Sequence, residues 1–117
     1  MRPQSIAEVA RRAGSIEFEL ADFLHAFTAR RDYAMLEEEP PLLEVAVDNA
    51  YLAATAAYLS QQIGHTPPAW VNGPQRVLKE PWFASNSPHL RAVLLVESPA
   101  AFRARNLFVS ANALSVA

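Results

Sequence analysis

The chain has 117 residues, of which 51% are hydrophobic and 19% are charged, and its formal net charge is −2. This length and balance predict one folded domain and exclude a disordered chain. The chain has no cysteine, which excludes disulfides, thiolate catalysis and cysteine-ligated zinc. Its first ten residues lack the apolar run of a secretory signal, so we expect a cytoplasmic protein without membrane contact.

The charge is unevenly distributed along the chain. Residues 1–60 hold ten acids and five bases, a net charge of −5, whereas residues 61–117 hold two acids and five bases, a net charge of +3. Such polarity can steer oriented docking to a partner, although unevenly solvated faces are the favoured explanation. The strong basic patch typical of an autonomous nucleic-acid-binding domain is missing from this pattern.

The first third of the chain predicts three helices. Ser5 can cap a short helix in which Glu8 completes a capping box, and Gly14 can end it. Ser15 can cap a second helix that runs to about residue 31. Its apolar face consists of Ile16, Leu20, Phe23, Leu24 and Phe27. A third, short helix is expected from Tyr33 to Glu39, stopped by two prolines.

The longest predicted helix runs from Leu42 to about Ile63 and ends at Gly64. Apolar residues almost encircle it, which is typical of a helix buried on several sides. Charged residues interrupt it too often for a membrane span. We therefore expect this helix to form the centre of the core, or to use half of its surface as an interface.

Beyond the central helix the sequence becomes rich in proline and tryptophan. It predicts a connection over residues 65–74, a short helix over 74–80 and irregular chain over 81–87. A helix should follow over 88–97, with Leu90, Val93, Leu94 and Val96 packed inward, and Ser98 should cap a last short helix that points Phe102 into the core. Residues 107–109 read as an extended apolar segment and residues 111–117 as a loosely held tail.

These elements together predict an all-α fold. We expect one compact helical domain over residues 1–117, built around the central helix, with an irregular Trp/Pro-rich C-terminal segment. A subdivision into a helical hairpin over 1–39 and a core-plus-motif region over 42–117 is compatible with the pattern.

Candidate reactive residues lack the partners that catalysis or metal binding would need. Asp22 and His25 are three residues apart on one predicted helix, and Glu44 and Asp48 are four apart on another. A two-metal helical bundle requires a second Glu-x-x-His motif, which the sequence lacks. Neither a Ser–His–Asp order nor a glycine-rich phosphate loop occurs. We expect no catalytic residue, no metal site and no cofactor.

The opening helix and turn over residues 5–14 look like the start of a DNA-binding helix-turn-helix. The following helix would then enter the major groove, but it leads with Glu17, Glu19 and Asp22, which phosphates repel. A capped helical hairpin is therefore the favoured interpretation, and DNA binding stays an alternative.

Large aromatic and charged side chains supply the candidate partner-binding residues. Aromatic bulk and arginine forks dominate protein interfaces, and an acidic run could fill a partner's nucleotide or metal site. Tryptophans that lock loops onto the central helix are the plainer explanation of the same aromatics. The candidates are Trp70, Trp82, Phe83, Arg91, Arg103 and Arg105, together with the acidic run Glu37, Glu38 and Glu39.

Several short motifs in the second half of the chain occur in a distinctive combination. They are Pro68-Ala69-Trp70, Pro81-Trp82-Phe83, Leu90-Arg91-Ala92, Glu97-Ser98-Pro99-Ala100-Ala101-Phe102-Arg103 and Arg105-Asn106-Leu107-Phe108-Val109. Over residues 42–110 the chain resembles small bacterial helical antitoxins encoded beside a toxin of the nucleotidyltransferase fold. The resemblance implies a non-enzymatic protein that binds and neutralises such a toxin. A DNA-binding regulator and a homo-oligomer that associates through its central helix are the alternatives.

Overall fold

The computed structural model describes residues 1–12 and 14–114, so the predicted tail over 111–117 is described only as far as Leu114. The expected, mostly helical fold is confirmed. The helices are α1 (Ile6–Arg11), α2 (Ile16–Arg30), α3 (Ala34–Glu37), α4 (Ala46–Gln62), α5 (Pro88–Glu97) and α6 (Ala100–Arg103), with 3-10 turns at Ala69–Asn72 and Pro74–Arg76. None of the described helices is both long and apolar enough to cross a membrane.

The first two helices begin where their caps predict. The Ser5 hydroxyl accepts the backbone N–H of Glu8 at 3.1 Å, and the Ser15 hydroxyl accepts that of Phe18 at 3.4 Å. Helix α1 ends at Arg11, three residues before Gly14, so the glycine cap was misplaced. Gly14 nevertheless has a φ of 109°, which suits the sharp turn into α2.

Helix α4 is the centre of the core, as its encircling apolar pattern predicts. Ten of its 17 residues are buried, and the main hydrophobic cluster packs it against α1, α2 and α3. Three of the buried residues are polar: Asn49, Thr55 and Ser60. The hydroxyls of Thr55 and Ser60 donate to the backbone carbonyl oxygens of Tyr51 and Ala56, both at 2.8 Å. Each hydroxyl is therefore satisfied inside its own helix.

The central helix begins four residues later than the sequence predicts. The side-chain amide of Asn49 accepts the backbone N–H of Leu43 at 2.7 Å and donates to the Leu43 carbonyl oxygen at 2.9 Å. These two bonds hold the chain before the helix in a non-helical conformation. Residues 42–45 are therefore part of the connection that leads into α4.

Two short strands make the all-α prediction incomplete. Strand β1 (Trp82–Phe83) pairs in parallel with β2 (Leu107–Phe108), and the helices α5 and α6 form the crossover between them. The sequence predicted irregular chain over residues 81–87 and an extended apolar segment over 107–109, but not that the two segments would pair. A two-residue strand carries too little pattern to be recognised from sequence.

The residues around α6 also differ from the prediction. Ser98 does not cap α6; its hydroxyl donates to the Leu107 carbonyl oxygen at 3.0 Å and accepts the Val109 N–H at 3.2 Å. It thereby ties the end of α5 to β2. Phe102 is completely buried, as predicted, and meets Tyr51 edge to face with 5.1 Å between the ring centroids.

The buried guanidinium of Arg76 joins three separate parts of the chain. It donates to the carbonyl oxygens of Pro40 and Asn49 and to the Glu39 carboxylate, and it lies over the Trp70 ring at 5.0 Å. Its side chain is 1% exposed. Because an unpaired buried carbonyl is costly, this residue fixes the connection before α4 against the 3-10 turns that follow α4.

Replacing Arg76 with Met should lower the free energy of unfolding by about 2–3 kcal/mol, since buried carbonyl oxygens lose their donor. Urea unfolding followed by circular dichroism measures the change. Arg103→Met is the matched control; Arg103 is exposed, and its replacement should change the stability by no more than about 0.5 kcal/mol. Equal effects of the two substitutions would contradict the role given to Arg76.

Candidate functional site

Trp70 occupies a structural position. Its indole N–H donates to the Leu36 carbonyl oxygen at 3.0 Å, and its ring covers the Arg76 guanidinium. The side chain is partly buried and packs against the main core cluster. Trp70 therefore locks the 3-10 turn onto α3, whereas the sequence had suggested that it locks a loop onto the central helix.

Trp82 and Phe83 are neighbours in β1 and face opposite ways, as successive strand residues do. Trp82 packs against the cluster that contains Phe102. Phe83 stacks on Phe108 with 4.9 Å between the ring centroids, and the Arg91 guanidinium lies 5.0 Å above the Phe83 ring. The structure thus brings two of the predicted partner-binding residues, Phe83 of β1 and Arg91 of α5, into one stack.

The two C-terminal arginines lie in different environments. Arg103 is exposed at the end of α6, whereas Arg105 is 6% exposed. The Arg105 guanidinium donates to the Val71 and Ala101 carbonyl oxygens and to the Asn72 side chain, at 2.8–3.4 Å. Burial lowers the pKa of Arg105 from its ordinary value, because desolvation disfavours the charged form. With its donors committed inside the protein, Arg105 supports the fold and is not available to a partner.

The acidic run is only partly free. Glu38 pairs with Arg11 on the surface, and Glu39 pairs with the buried Arg76 at 3.2 Å. Glu37 is exposed at the end of α3. The three carboxylates therefore do not form one uncommitted acidic patch.

Helix α5 carries the largest departure from the expected packing. It has the predicted bounds, and the Ser87 hydroxyl accepts the Leu90 N–H at its start, but only Leu94 of its ten residues is buried. Leu90 and Leu95 are 49% exposed, Val93 is 39% exposed and Val96 is 81% exposed. We call these four residues the α5 surface. The sequence predicted that Leu90, Val93 and Val96 would lie in the core, and that prediction was wrong.

A second feature is an open cavity of about 930 Å³ between α2 and α4. We call it the α2–α4 cavity. Apolar side chains from both helices form most of its wall, and Trp82, Val109 and Leu114 close one side. Five polar side chains also line it: Glu17, His25, Asp48, Tyr51 and Ser110.

Two polar groups of this cavity, Asp48 and Tyr51, have raised pKa values. Burial raises the pKa of Asp48 above its ordinary 3.8, and the nearby Glu17 carboxylate raises it further. The same two causes, in the same order, raise the pKa of the Tyr51 hydroxyl. Within residues 1–12 and 14–114, neither carboxylate forms an ion pair with an Arg or Lys of the chain. The cavity is therefore acidic as well as apolar.

The sequence had paired His25 with Asp22 and Asp48 with Glu44 as candidate metal ligands. The structure instead brings His25 and Asp48 to the same cavity, while Asp22 and Glu44 are not on its wall. Over the described part of the chain, His, Asp and Glu side chains do not gather in threes that could hold a metal ion. The sequence signal for this site was the spacing of titratable residues, three or four positions apart, on two helices. That spacing does not show which residues of the two helices meet.

Comparison of the chain with protein-family models, with curated proteins and with solved structures finds no match. The exposed α5 surface and the acidic α2–α4 cavity are therefore the features from which a function can be argued.

The substitution Glu17→Gln should lower the pKa of Asp48 by removing the repulsion between the two carboxylates. The pKa should stay above 3.8, because the burial of Asp48 is unchanged. A titration of the Asp48 side-chain carboxyl carbon by NMR measures both values. Glu44→Gln removes an exposed carboxylate that is not on the cavity wall, and it should leave the pKa of Asp48 unchanged. An unaltered pKa in the Glu17 variant would mean that the two carboxylates do not face each other.

Proposed function

We propose that this protein is a binding module that inserts helix α5 into an apolar groove of a partner protein. The observation that supports the proposal is the exposure of four large aliphatic side chains on a helix that buries only Leu94. Several large exposed aliphatic side chains on one helix are typical of an interaction site on a folded protein. Peptide helices that dock through apolar side chains use the same chemistry.

The distribution of the exposed side chains favours a concave partner. At 100° per residue, the positions from Leu95 through Val96 and Val93 to Leu90 cover roughly 220° of the helix circumference. A flat or convex surface contacts only one stripe of a helix, whereas a groove contacts its flanks as well. The partner therefore presents a groove into which α5 fits lengthwise.

Self-association through α5 is a weaker explanation. The helix has ten residues and is about 15 Å long, so one stripe of it buries on the order of a few hundred Å² against an identical helix. Stable protein interfaces bury about 800 Å² on each partner. The sequence-based alternative placed self-association on the central helix, but most of the apolar side chains of α4 are already buried in the core. A different protein is the better occupant.

The charge beside α5 indicates an acidic rim on the partner's groove. Arg91 uses its Nε–H to hold the Ser85 carbonyl oxygen at 3.0 Å and rests its guanidinium on Phe83. The terminal guanidinium nitrogens have no hydrogen-bond partner within the described residues. A guanidinium held in this way is pre-organised to bind a carboxylate with two hydrogen bonds. Phe83 and Arg91 therefore remain in the proposed interface, at the edge of the groove.

The resemblance of residues 42–110 to antitoxins supports a specific identity for the partner. We propose a toxin of the nucleotidyltransferase fold, encoded next to this protein, and expect its inhibition to be stoichiometric and non-enzymatic. Trp82, Arg103 and the exposed Glu37 remain candidates for further contacts with this partner. DNA binding through α1 and α2 is not favoured, since Arg11 and Arg12 are engaged by Glu38, Glu8 and Glu19.

Replacing Val96 with Glu should weaken the binding of the partner at least tenfold, because a charge would be buried in an apolar groove. The binding of the purified protein encoded by the adjacent gene can be measured by isothermal titration calorimetry. Val93→Glu should have a similar effect. Both variants should keep the wild-type helical circular dichroism, since both side chains lie on the surface.

Val77→Glu is the matched control for Val93→Glu. Val77 is 40% exposed and Val93 is 39% exposed, but Val77 is not part of the α5 surface. The control should bind as the wild type does. If Val93→Glu and Val96→Glu bind as tightly as the control, α5 is not the contact and the proposal fails.

A further inference from the structure

The α2–α4 cavity has the size and the lining of a small-molecule site. Its volume of about 930 Å³ lies within the range of roughly 300–1,000 Å³ that such sites occupy. Leu20 and Leu24 of α2 and Val47 of α4 contribute apolar wall. A few polar groups in a mostly apolar cavity are what orient a bound ligand. No residue of α5 lines it, so the cavity is separate from the surface proposed to bind a protein.

The charge of the cavity determines whether a positively or a negatively charged ligand is favoured. Glu17, at the start of α2, and Asp48, in the first turn of α4, bring two carboxylates to the cavity, close enough for Glu17 to raise the pKa of Asp48. Their repulsion and the burial of Asp48 both disfavour the doubly charged state. An anion would add to that repulsion, whereas a cation between the carboxylates would relieve it. An ordinary apolar compound would leave it unchanged.

The aromatic side chains of the cavity also favour a cation. Tyr51 and Trp82 both line it, and aromatic rings attract ammonium groups. Tyr51 also brings a hydroxyl group near Glu17. Aromatic faces together with carboxylates are the usual means of recognising organic ammonium groups in proteins.

We infer that the α2–α4 cavity binds an amphipathic organic amine, with its ammonium group at Glu17 and Asp48 and its apolar or aromatic body along Leu20, Leu24 and Trp82. The two carboxylates give electrostatic complementarity to the ammonium group. The apolar wall gives affinity by removing the body of the ligand from water. This inference does not depend on the proposed protein partner.

The two tryptophans offer a test with an internal reference. Trp82 lines the cavity, whereas Trp70 is held elsewhere by its hydrogen bond to Leu36. Adding 4-phenylbutylamine to the ¹⁵N-labelled protein should shift the indole N–H resonance of Trp82 saturably and leave that of Trp70 in place. The probe 4-phenylbutyrate has the same body with the opposite charge, and it should bind at least tenfold more weakly. Equal or tighter binding of 4-phenylbutyrate, or no shift of Trp82 at low millimolar amine, would overturn the inference.

Variants test the role of the carboxylates. The double replacement Glu17→Gln with Asp48→Asn should lower the affinity for 4-phenylbutylamine at least tenfold and remove the preference for the amine over 4-phenylbutyrate. Glu80→Gln is the matched control; Glu80 is an exposed acid two residues from Trp82 that does not line the cavity, and its variant should bind as the wild type does. Unchanged affinity in the double variant would also overturn the inference. If the double variant does not fold, the comparison of the two probes on the wild-type protein decides the matter.

Discussion

The buried guanidinium of Arg76 is the interaction on which the arrangement of this small protein depends. The central helix cannot position the segments on either side of it by itself, because both are proline-rich and have little regular hydrogen bonding. Arg76 supplies donors to the Pro40 and Asn49 carbonyl oxygens before and within α4, and Trp70 covers it from the turn that follows α4. Arg105 has a similar role. It donates to the Val71 and Ala101 carbonyl oxygens and so joins the 3-10 turn after α4 to helix α6. In a chain of this size, two buried arginines replace the backbone ladders that a larger sheet would provide.

The elements that sequence predicted best are those whose signal is local. Ser5, Ser15 and Ser87 each cap the helix that follows them, and the apolar face of α2 is buried as its spacing predicts. The predictions were wrong where a residue outside the local sequence determines the structure of a segment. Asn49 holds Leu43 and delays the start of α4, and β1 exists only because β2 returns beside it. Arg76 and Arg105 look like surface residues by composition, because arginine is mostly exposed, and only the fold shows that backbone carbonyls surround them.

The misassigned face of α5 shows a further limit of sequence. Leu90, Val93, Leu94 and Val96 are spread widely around the helix, so their periodicity fixes a helix but not the direction in which it packs. That direction is set by the crossover: α5 packs beside β2 and buries only Leu94, and the short strand pair is too small to cover more of the helix. Three of the residues that predict a core helix, Leu90, Val93 and Val96, are therefore exposed together with Leu95. The polar groups of the α2–α4 cavity were likewise visible as single residues, but their convergence depends on how α2 crosses α4.

The two proposed sites lie on opposite sides of strand β1, and this geometry makes them physically separable. Trp82 points into the α2–α4 cavity, whereas Phe83 points towards α5 and supports Arg91. Consecutive strand residues share a backbone but no side-chain environment, so a ligand in the cavity and a protein on α5 do not compete for the same atoms. The strand itself is held by the Asn106 and Phe108 carbonyl oxygens, which accept the N–H groups of Trp82 and Ala84 at 2.8 and 3.0 Å. A substitution that changes either site is thus expected to leave the other intact as long as these backbone bonds persist.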